Sequence, residues 1–181
     1  EKLLGEGNIP KLTVIEMKGW QRDMLFKDTG LPWVLPSPNI PASETAFYYP
    51  ATGIAGELNG CSIGVGYTLP FKFFAAPGID GIKLSKALND LNLSGVRFRP
   101  VAFRPYFSRF AGTGLSGVEV YITDPVSAEL TLIQFYILQE VYRLYPQLNL
   151  IENEPKSRQR MLDKVTGNSR VRINFMKRHK V

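Results

Sequence analysis

The chain has 181 residues and a mass of 20.3 kDa, which suits one ordinary domain with a substantial core. Its 44% hydrophobic and 21% charged content excludes a disordered or collagen-like chain, and no apolar run approaches the ~18 residues that would predict a membrane span. The net charge of +6 comes entirely from residues 156–181, which carry nine basic and one acidic side chain, because residues 1–155 have a net charge of −2.

The first 50 residues contain a short apolar run and then many prolines. The run at 12–17 is partly β-branched and predicts a strand. Residues 28–50 contain five prolines, which are incompatible with a helix interior or a central strand, so we predict an extended loop. Loops of this length usually bind something, and their aromatic residues argue against disorder: Trp33, Phe47, Tyr48 and Tyr49.

The middle of the chain predicts one helix and two neighbouring strands. Residues 82–91 place their apolar side chains on one helical face. Residues 96–103 and 117–124 alternate apolar and polar side chains, which is typical of half-buried strands. A glycine-rich segment at 108–116 joins them, so they could pair in one sheet.

The last third predicts two helices and a final strand. Ser127 could cap a helix that runs to Tyr145, and residues 156–165 predict a short basic helix. Residues 171–176 alternate again and predict a strand. The irregular order of elements favours an α+β fold, with a mixed, largely antiparallel sheet flanked by helices.

The single cysteine and the single histidine limit the chemistry. Cys61 excludes an internal disulfide and any paired-cysteine metal site, and we predict that it is a buried core thiol. His179 alone excludes histidine-based zinc sites and disfavours a Ser-His-Asp triad. We therefore expect no metal and no cofactor.

The glycine-rich stretch at 53–66 includes a Gly-Val-Gly sequence at Gly64–Gly66. It lacks the lysine of a phosphate-binding loop, and Pro70 follows where a helix would have to begin. We predict instead a turn in which the backbone passes close to another segment.

Two further residue classes could carry chemistry. Glu44, Glu57 and Asp80 lie near loops and could act as paired carboxylates in glycoside hydrolysis, although surface solvation is the simpler interpretation. A set of aromatic residues in or beside loops could stack on sugars or bases, or could anchor the loops: Trp20, Trp33, Tyr48, Tyr49, Tyr67, Phe71, Phe73 and Phe74.

The basic tail raises a nucleic-acid hypothesis. The alternation around Arg170 and Arg172 instead suggests the solvated face of a strand, and Arg158, Arg160 and Lys164 fit the solvated face of a helix. We therefore expect no nucleic-acid partner.

Several sequence strings together resemble one protein family. They are KGWQRDM at 18–24, TGLPWVLPSPNIP at 29–41, YPAT at 49–52 and GVEVYITD at 117–124. The chain resembles the NamZ family of bacterial exo-β-N-acetylmuramidases over nearly its whole length. The resemblance implies a glycoside hydrolase of cell-wall recycling that removes terminal N-acetylmuramic acid from peptidoglycan fragments. It also implies a periplasmic or secreted protein.

The resemblance implies a domain organisation as well. Residues 1–52 would be the end of an N-terminal Rossmann-like domain with a Pro-rich cleft loop, and residues 53–181 a C-terminal α+β domain, incomplete at its end. The principal catalytic acid would lie in the N-terminal domain outside this chain, so we expect this fragment alone to be inactive. The expected partners are muramyl saccharides and that N-terminal domain. The alternative is a noncatalytic carbohydrate- or protein-binding domain.

Site residues follow from matched positions and from chemistry. Glu57 matches a family glutamate and is the candidate supporting carboxylate. The candidate substrate-binding residues are Trp20, Trp33 and Tyr67 for stacking, Ser37, Asn39 and Thr68 as hydroxyl or amide partners, and Arg22 for the lactyl carboxylate. Many relatives have glutamate and arginine where this chain has Ile63 and Val65, so substrate preference in this branch could differ.

Overall fold

The computed structural model describes residues 11–181, which belong to two compact units: one ends at Pro32, and the other is Trp33–Val181. In the first unit the predicted strand at 12–17 is wrong, because these residues form no ladder and Ile15 is 92% exposed. A β-branched run becomes a strand only when a partner strand satisfies its backbone. Residues 11–32 contain one regular element, the 3₁₀ turn Phe26–Thr29, in which the Asp28 carboxylate accepts the Leu25 N–H (2.8 Å).

The second unit has an α+β fold around a three-stranded antiparallel sheet, as predicted. Its strands are β1 (Phe73–Ala76), β2 (Val96–Phe103) and β3 (Leu115–Ile122), in the spatial order β1-β3-β2. The predicted pairing of the second and third strands is confirmed, with Phe98 opposite Val120.

The second unit also contains five helices: α1 (Thr45–Thr52), α2 (Gly81–Asp90), α3 (Leu130–Leu144), α4 (Lys156–Val165) and α5 (Arg170–Arg178). Short 3₁₀ turns lie at Ala55–Glu57 and Pro146–Leu148. The predictions of α2 and α4 are confirmed. The Asp80 carboxylate caps α2 by accepting the N–H groups of Ile82 (2.9 Å) and Lys83 (3.2 Å).

The predicted extended loop at 28–50 is only partly correct, because α1 begins at Thr45 and contains Pro50. Packing compensates for the proline: Tyr48 and Ala51 are buried, and the Gln134 amide of α3 donates to the Pro50 carbonyl (2.8 Å). Tertiary contacts therefore stabilise α1 although Pro50 disfavours a helix locally.

The start of α3 also differs from the prediction. The helix begins at Leu130 after Glu129, without a side-chain cap, so Ser127 is not its N-cap. Ser127 belongs instead to the turn after β3, where its hydroxyl and the Val126 N–H hydrogen-bond Asp124 and lower the pKa of that carboxyl.

The predicted last strand at 171–176 is wrong, because these residues belong to α5. Val171 and Phe175 are spaced four apart and share one helical face, where Phe175 is buried beside Phe135 and Tyr142. Over six residues a period of two also satisfies a spacing of four, so alternation alone did not separate strand from helix.

The sheet has two unlike sides. On its helix side, alternate strand residues pack against the helices: Phe74, Ala76, Val96, Phe98, Val118 and Val120. On its loop side, a smaller cluster packs under two loops: Phe73, Ala75, Phe103 and Leu115, with Tyr67, Leu69, Val101 and Phe110 partly buried against it. Within residues 11–181 no helix is both long and apolar enough to cross a membrane.

Candidate functional site

Two loops meet on the loop side of the sheet. We call them the glycine loop (residues 60–68) and the β2–β3 loop (residues 104–114). The Gly66 carbonyl accepts the N–H groups of Tyr106 (2.8 Å) and Phe107 (3.4 Å). Gly66 has a φ of +96°, and a Cβ there would collide with the Phe107 carbonyl. The predicted turn with a close backbone approach is confirmed.

The glycine loop is fastened at its start by buried hydrogen bonds. Ser62 exchanges backbone hydrogen bonds with Ala75 of β1 (2.7 and 2.9 Å). The Glu154 carboxylate, 6% exposed, accepts the Asn59 and Gly60 N–H groups and the Asn59 amide (2.8 Å). Sequence reasoning missed Glu154, because nothing local links it to residues 95 positions away.

Aromatic rings lead from the core to the surface beside the glycine loop. Tyr67, half-buried, packs against Phe103 (5.0 Å between ring centroids), Tyr106 (5.4 Å) and Phe73 (5.9 Å). Tyr106 is 71% exposed and Phe107 is 59% exposed. These two exposed rings were missed, although aromatic residues in a glycine-rich segment were an available signal.

A small cavity of about 140 Å³ opens between the two loops. Its lining consists of Gly56, Cys61, Ser62, Ile63, Val65, Ser108 and Arg109. Arg109 is half-buried, and its guanidinium donates to the Leu58 carbonyl. None of the ion pairs formed by residues 11–181 includes Arg109.

Ile63 and Val65, the two positions where the resemblance implied charged residues in many relatives, line this same cavity. Ile63 is buried against Gly56, where a Cβ would collide with the Ile63 side chain. Val65 is half-buried against the main core. The lining of this cavity therefore combines the Arg109 guanidinium with two aliphatic side chains.

Each of the three candidate carboxylates has a partner. Glu57 lies in the 3₁₀ turn Ala55–Glu57, and its Oε2 is 3.4 Å from Arg158 Nη1 on α4. Glu44 is 3.7 Å from the Lys72 ammonium, and Asp80 caps α2. The supporting role of Glu57 stays a prediction.

The segment that contains Trp33, Ser37 and Asn39 is folded by its own hydrogen bonds. The Trp33 indole donates to the Ile40 carbonyl (3.2 Å), and the Ser37 hydroxyl accepts the Asn39 N–H (3.2 Å). All three residues are half-buried. The structure brings them together in one turn, and their role as a sugar-binding wall stays a prediction.

The remaining predicted residues lie in two places. Thr68 is exposed at the end of the glycine loop, next to Tyr67. In the first unit, the Arg22 guanidinium lies over the Trp20 ring, 5.9 Å from its centroid, and Trp20 is 48% exposed. The structure thus pairs Arg22 with an aromatic ring, and its predicted contact with a carboxylate stays a prediction.

The lone cysteine is a core thiol, as predicted. Cys61 donates to the Ala55 carbonyl (3.3 Å), and burial raises its pKa to about 12. A thiol with that pKa is not a nucleophile at neutral pH. Within residues 11–181 no three His, Cys, Asp or Glu side chains are grouped to hold a metal ion.

Part of the basic tail is paired within the fold. Arg172 of α5 forms a bidentate pair with Asp163 of α4 (2.7 and 2.8 Å), and Arg158 contacts Glu57. The predicted solvated strand face is wrong: Arg170 and Arg172 lie on α5, which one ion pair joins to α4, and a second ion pair joins α4 to the turn at Ala55–Glu57.

Family models match almost all of the chain. The model described as the C-terminal part of exo-beta-N-acetylmuramidase NamZ matches residues 47–181, and the model of the N-terminal part matches residues 2–44. The chain belongs to the NamZ family. Its cavity, glycine loop and β2–β3 loop all lie within the C-terminal match.

Two relatives of this family member can be compared directly. Peptidoglycan beta-N-acetylmuramidase NamZ from Bacillus subtilis (strain 168) is 45% identical over 136 residues, which are 75% of this chain and 33% of the relative. The crystal structure of a DUF1343 family protein from Bacteroides fragilis has a TM-score of 0.91 at 45% identity, over 98% of this chain and 47% of that protein. The chain thus spans a third of the curated relative and about half of the solved one.

The N-terminal and C-terminal family matches meet between residues 44 and 47, at the start of α1. The compact units of the structure divide at Pro32. The predicted division at residue 52 stays a prediction.

Proposed function

We propose that the protein is an exo-β-N-acetylmuramidase, a glycoside hydrolase that releases terminal N-acetylmuramic acid from peptidoglycan fragments. This chain supplies the C-terminal part of the cleft. The observation that carries the proposal is the match to both NamZ models, together with 45% identity to a relative named as a peptidoglycan beta-N-acetylmuramidase.

The surface on the loop side of the sheet has features that favour a saccharide as the ligand. The exposed rings of Tyr106 and Phe107 stand beside a cavity that has both polar and aliphatic walls. Pyranose rings present apolar faces and polar edges, and such sites combine aromatic surface with a few placed polar groups.

Hydrolysis needs two acid–base functions across the scissile bond. In the proposal, Glu57 is the supporting carboxylate and the principal acid belongs to the N-terminal domain outside this chain. The substrate is a cell-wall polymer, so we also propose that the protein works in the bacterial periplasm or outside the cell.

The full-length parent protein should be assayed with chromogenic β-glycosides of N-acetylmuramic acid and N-acetylglucosamine. We expect release from the muramic acid substrate, and none from residues 1–181 alone. No turnover of either substrate by the full-length protein would refute the proposal. Saccharide binding without turnover would instead support a noncatalytic carbohydrate-binding domain.

The role of Glu57 is tested by Glu57→Gln in the full-length protein, where we expect kcat to fall at least about tenfold. Glu44→Gln is the matched control, because it removes the carboxylate of another exposed ion pair. Normal activity of Glu57→Gln would show that Glu57 serves only its ion pair with Arg158.

A further inference from the structure

The cavity between the glycine loop and the β2–β3 loop contains the guanidinium of Arg109, which forms no ion pair with any acidic side chain among residues 11–181. We propose that Arg109 binds the carboxylate of the lactyl ether on the substrate's muramic acid, so that this cavity determines specificity for a carboxylate-bearing sugar. The inference rests on the proposed function and deepens it.

The backbone holds Arg109 in place. Its two neighbours Ser108 and Phe110 both have positive φ, +68° and +66°. Such values cost non-glycine residues about 1 kcal/mol or more each and persist only where the surroundings enforce them. Here the hydrogen bonds from Tyr106 and Phe107 to Gly66 tie the loop down on one side of Arg109, and the Gly112 N–H bonds the Pro105 carbonyl (2.9 Å) across it.

Within residues 11–181, the Arg109 guanidinium forms one hydrogen bond and no ion pair. A guanidinium has five N–H donors, and the Leu58 carbonyl takes one of them. Half-buried arginines normally pair with carboxylates, and the six ion pairs among residues 11–181 do not include this one. An anionic ligand group would supply the missing partner in a charge-assisted hydrogen bond.

The rest of the cavity fits a lactyl group better than a bare anion. A lactyl group carries a methyl group next to its carboxylate, and the lining places the aliphatic side chains of Ile63 and Val65 in the same small space as Arg109. The Ser62 hydroxyl oxygen accepts the Gly64 N–H (3.3 Å), which fixes this side chain in the lining. About 140 Å³ accommodates one short substituent and excludes a whole sugar ring.

The exposed rings of Tyr106 and Phe107, on the same loop as Arg109, are placed to contact the pyranose ring while its lactyl substituent enters the cavity.

The test compares two substrates that differ only in the lactyl group, the β-glycosides of N-acetylmuramic acid and N-acetylglucosamine with one leaving group. In the full-length protein, Arg109→Gln should lower kcat/KM for the muramic acid substrate about 10- to 100-fold, mostly through KM. It should leave the N-acetylglucosamine substrate within about threefold. Arg109→Lys should recover part of the loss, because it keeps the charge without the planar fork.

Arg104→Gln is the matched control, because Arg104 is exposed on the same loop and carries the same charge. The sequence-based alternative is tested in parallel by Arg22→Gln. An equal loss on both substrates with Arg109→Gln, or no loss, would overturn the inference. A lactyl-selective loss with Arg22→Gln alone would assign the carboxylate to Arg22 instead.

A binding experiment separates this inference from the proposed activity. Calorimetry of free N-acetylmuramic acid and its methyl ester measures the contribution of the carboxylate without any turnover. If the full-length enzyme hydrolyses neither glycoside but binds the acid at least about tenfold more tightly than the ester, and Arg109→Gln removes that difference, the carboxylate site stands and the hydrolase proposal fails. Equal binding of acid and ester would overturn the carboxylate site.

Discussion

Both sides of the sheet bury apolar side chains, but helices cover one side completely and loops with exposed aromatic rings cover the other. On the helix side, Phe74, Val118 and Val120 are completely buried under α-helices. On the loop side, burial declines outward from Phe73 at 2% exposure to Tyr106 at 71%. Because side chains alternate along a strand, the same strands form a fully buried core on one side and a partly exposed surface on the other.

The polar groups on the two sides also differ. On the helix side, buried Gln134 is neutral and bonds the Ala55 N–H (3.0 Å) and the Pro50 carbonyl. On the loop side, buried Glu119 of β3 lies opposite Phe73 and forms an ion pair with Arg99. The Arg99 guanidinium lies over the Tyr121 ring and reaches solvent. Gln134 thus bonds only groups within the fold, whereas Glu119 is paired with an arginine that reaches solvent.

Substitutions in the core on the helix side should have the largest effect on stability. Phe74→Ala removes a completely buried ring and should lower the free energy of unfolding by about 3–5 kcal/mol. Urea unfolding followed by circular dichroism measures the change. A cost below about 1 kcal/mol would mean that the helices do not depend on this ring for packing.

Substitution at the contact between the glycine loop and the β2–β3 loop should have the next largest effect on stability. Gly66→Ala introduces a Cβ against the Phe107 carbonyl at a positive φ, and should cost about 2–3 kcal/mol. Gly112→Ala is the matched control, because Gly112 also has a positive φ but open space around it. If both variants lose the same stability, backbone strain alone explains the effect and close approach contributes nothing.

The ion pair between α4 and α5 should have a smaller and pH-dependent effect. Hydrogen bonds from Arg172 hold the pKa of Asp163 below its ordinary value, so the pair's stabilisation is complete above about pH 4 and is lost as pH falls through the folded-state pKa. Asp163→Asn should cost about 1 kcal/mol at pH 7, and the difference from wild type should vanish in acid.

Urea unfolding at pH 7, 5 and 3 measures that trend. Asp90→Asn, at the exposed end of α2, is the control and should change stability little at any of these pH values. A deficit for Asp163→Asn that persists unchanged at pH 3 would contradict the ion-pair explanation.

The exposed aromatic surface should matter least for stability and most for function. Tyr106→Ala should change the free energy of unfolding by less than about 0.5 kcal/mol, yet lower kcat/KM of the full-length enzyme about tenfold. Tyr121→Ala, a half-exposed tyrosine elsewhere on the loop side, should leave kcat/KM unchanged. Equal activity of both variants would remove Tyr106 from the saccharide surface.

Much of the fold could be predicted from local patterns. The α+β class, the helices α2 and α4, and the pairing of β2 with β3 all followed from periodicity and turn residues. The burial of Cys61 followed from residue type. The errors came where short patterns are ambiguous, as at α5, or where long-range packing prevailed, as at Pro50 in α1.

The candidate site was predicted less completely than the fold. Tyr67 and the close approach at the glycine loop were anticipated, because glycine spacing and an aromatic residue beside a loop are local signals. Tyr106, Arg109 and Glu154 were missed, because their roles depend on contacts with residues 40 to 95 positions away.

Local sequence alone determined that the chain has an α+β core, a glycine turn of restricted geometry and the family's diagnostic strings. These depend on side-chain period and on backbone freedom, which are properties of neighbouring residues. Only the tertiary structure decided which charges remain unpaired and which rings stay exposed. Pairing and exposure depend on which distant segments the fold brings together, as it brings Arg109 into one cavity with Ile63 and Val65.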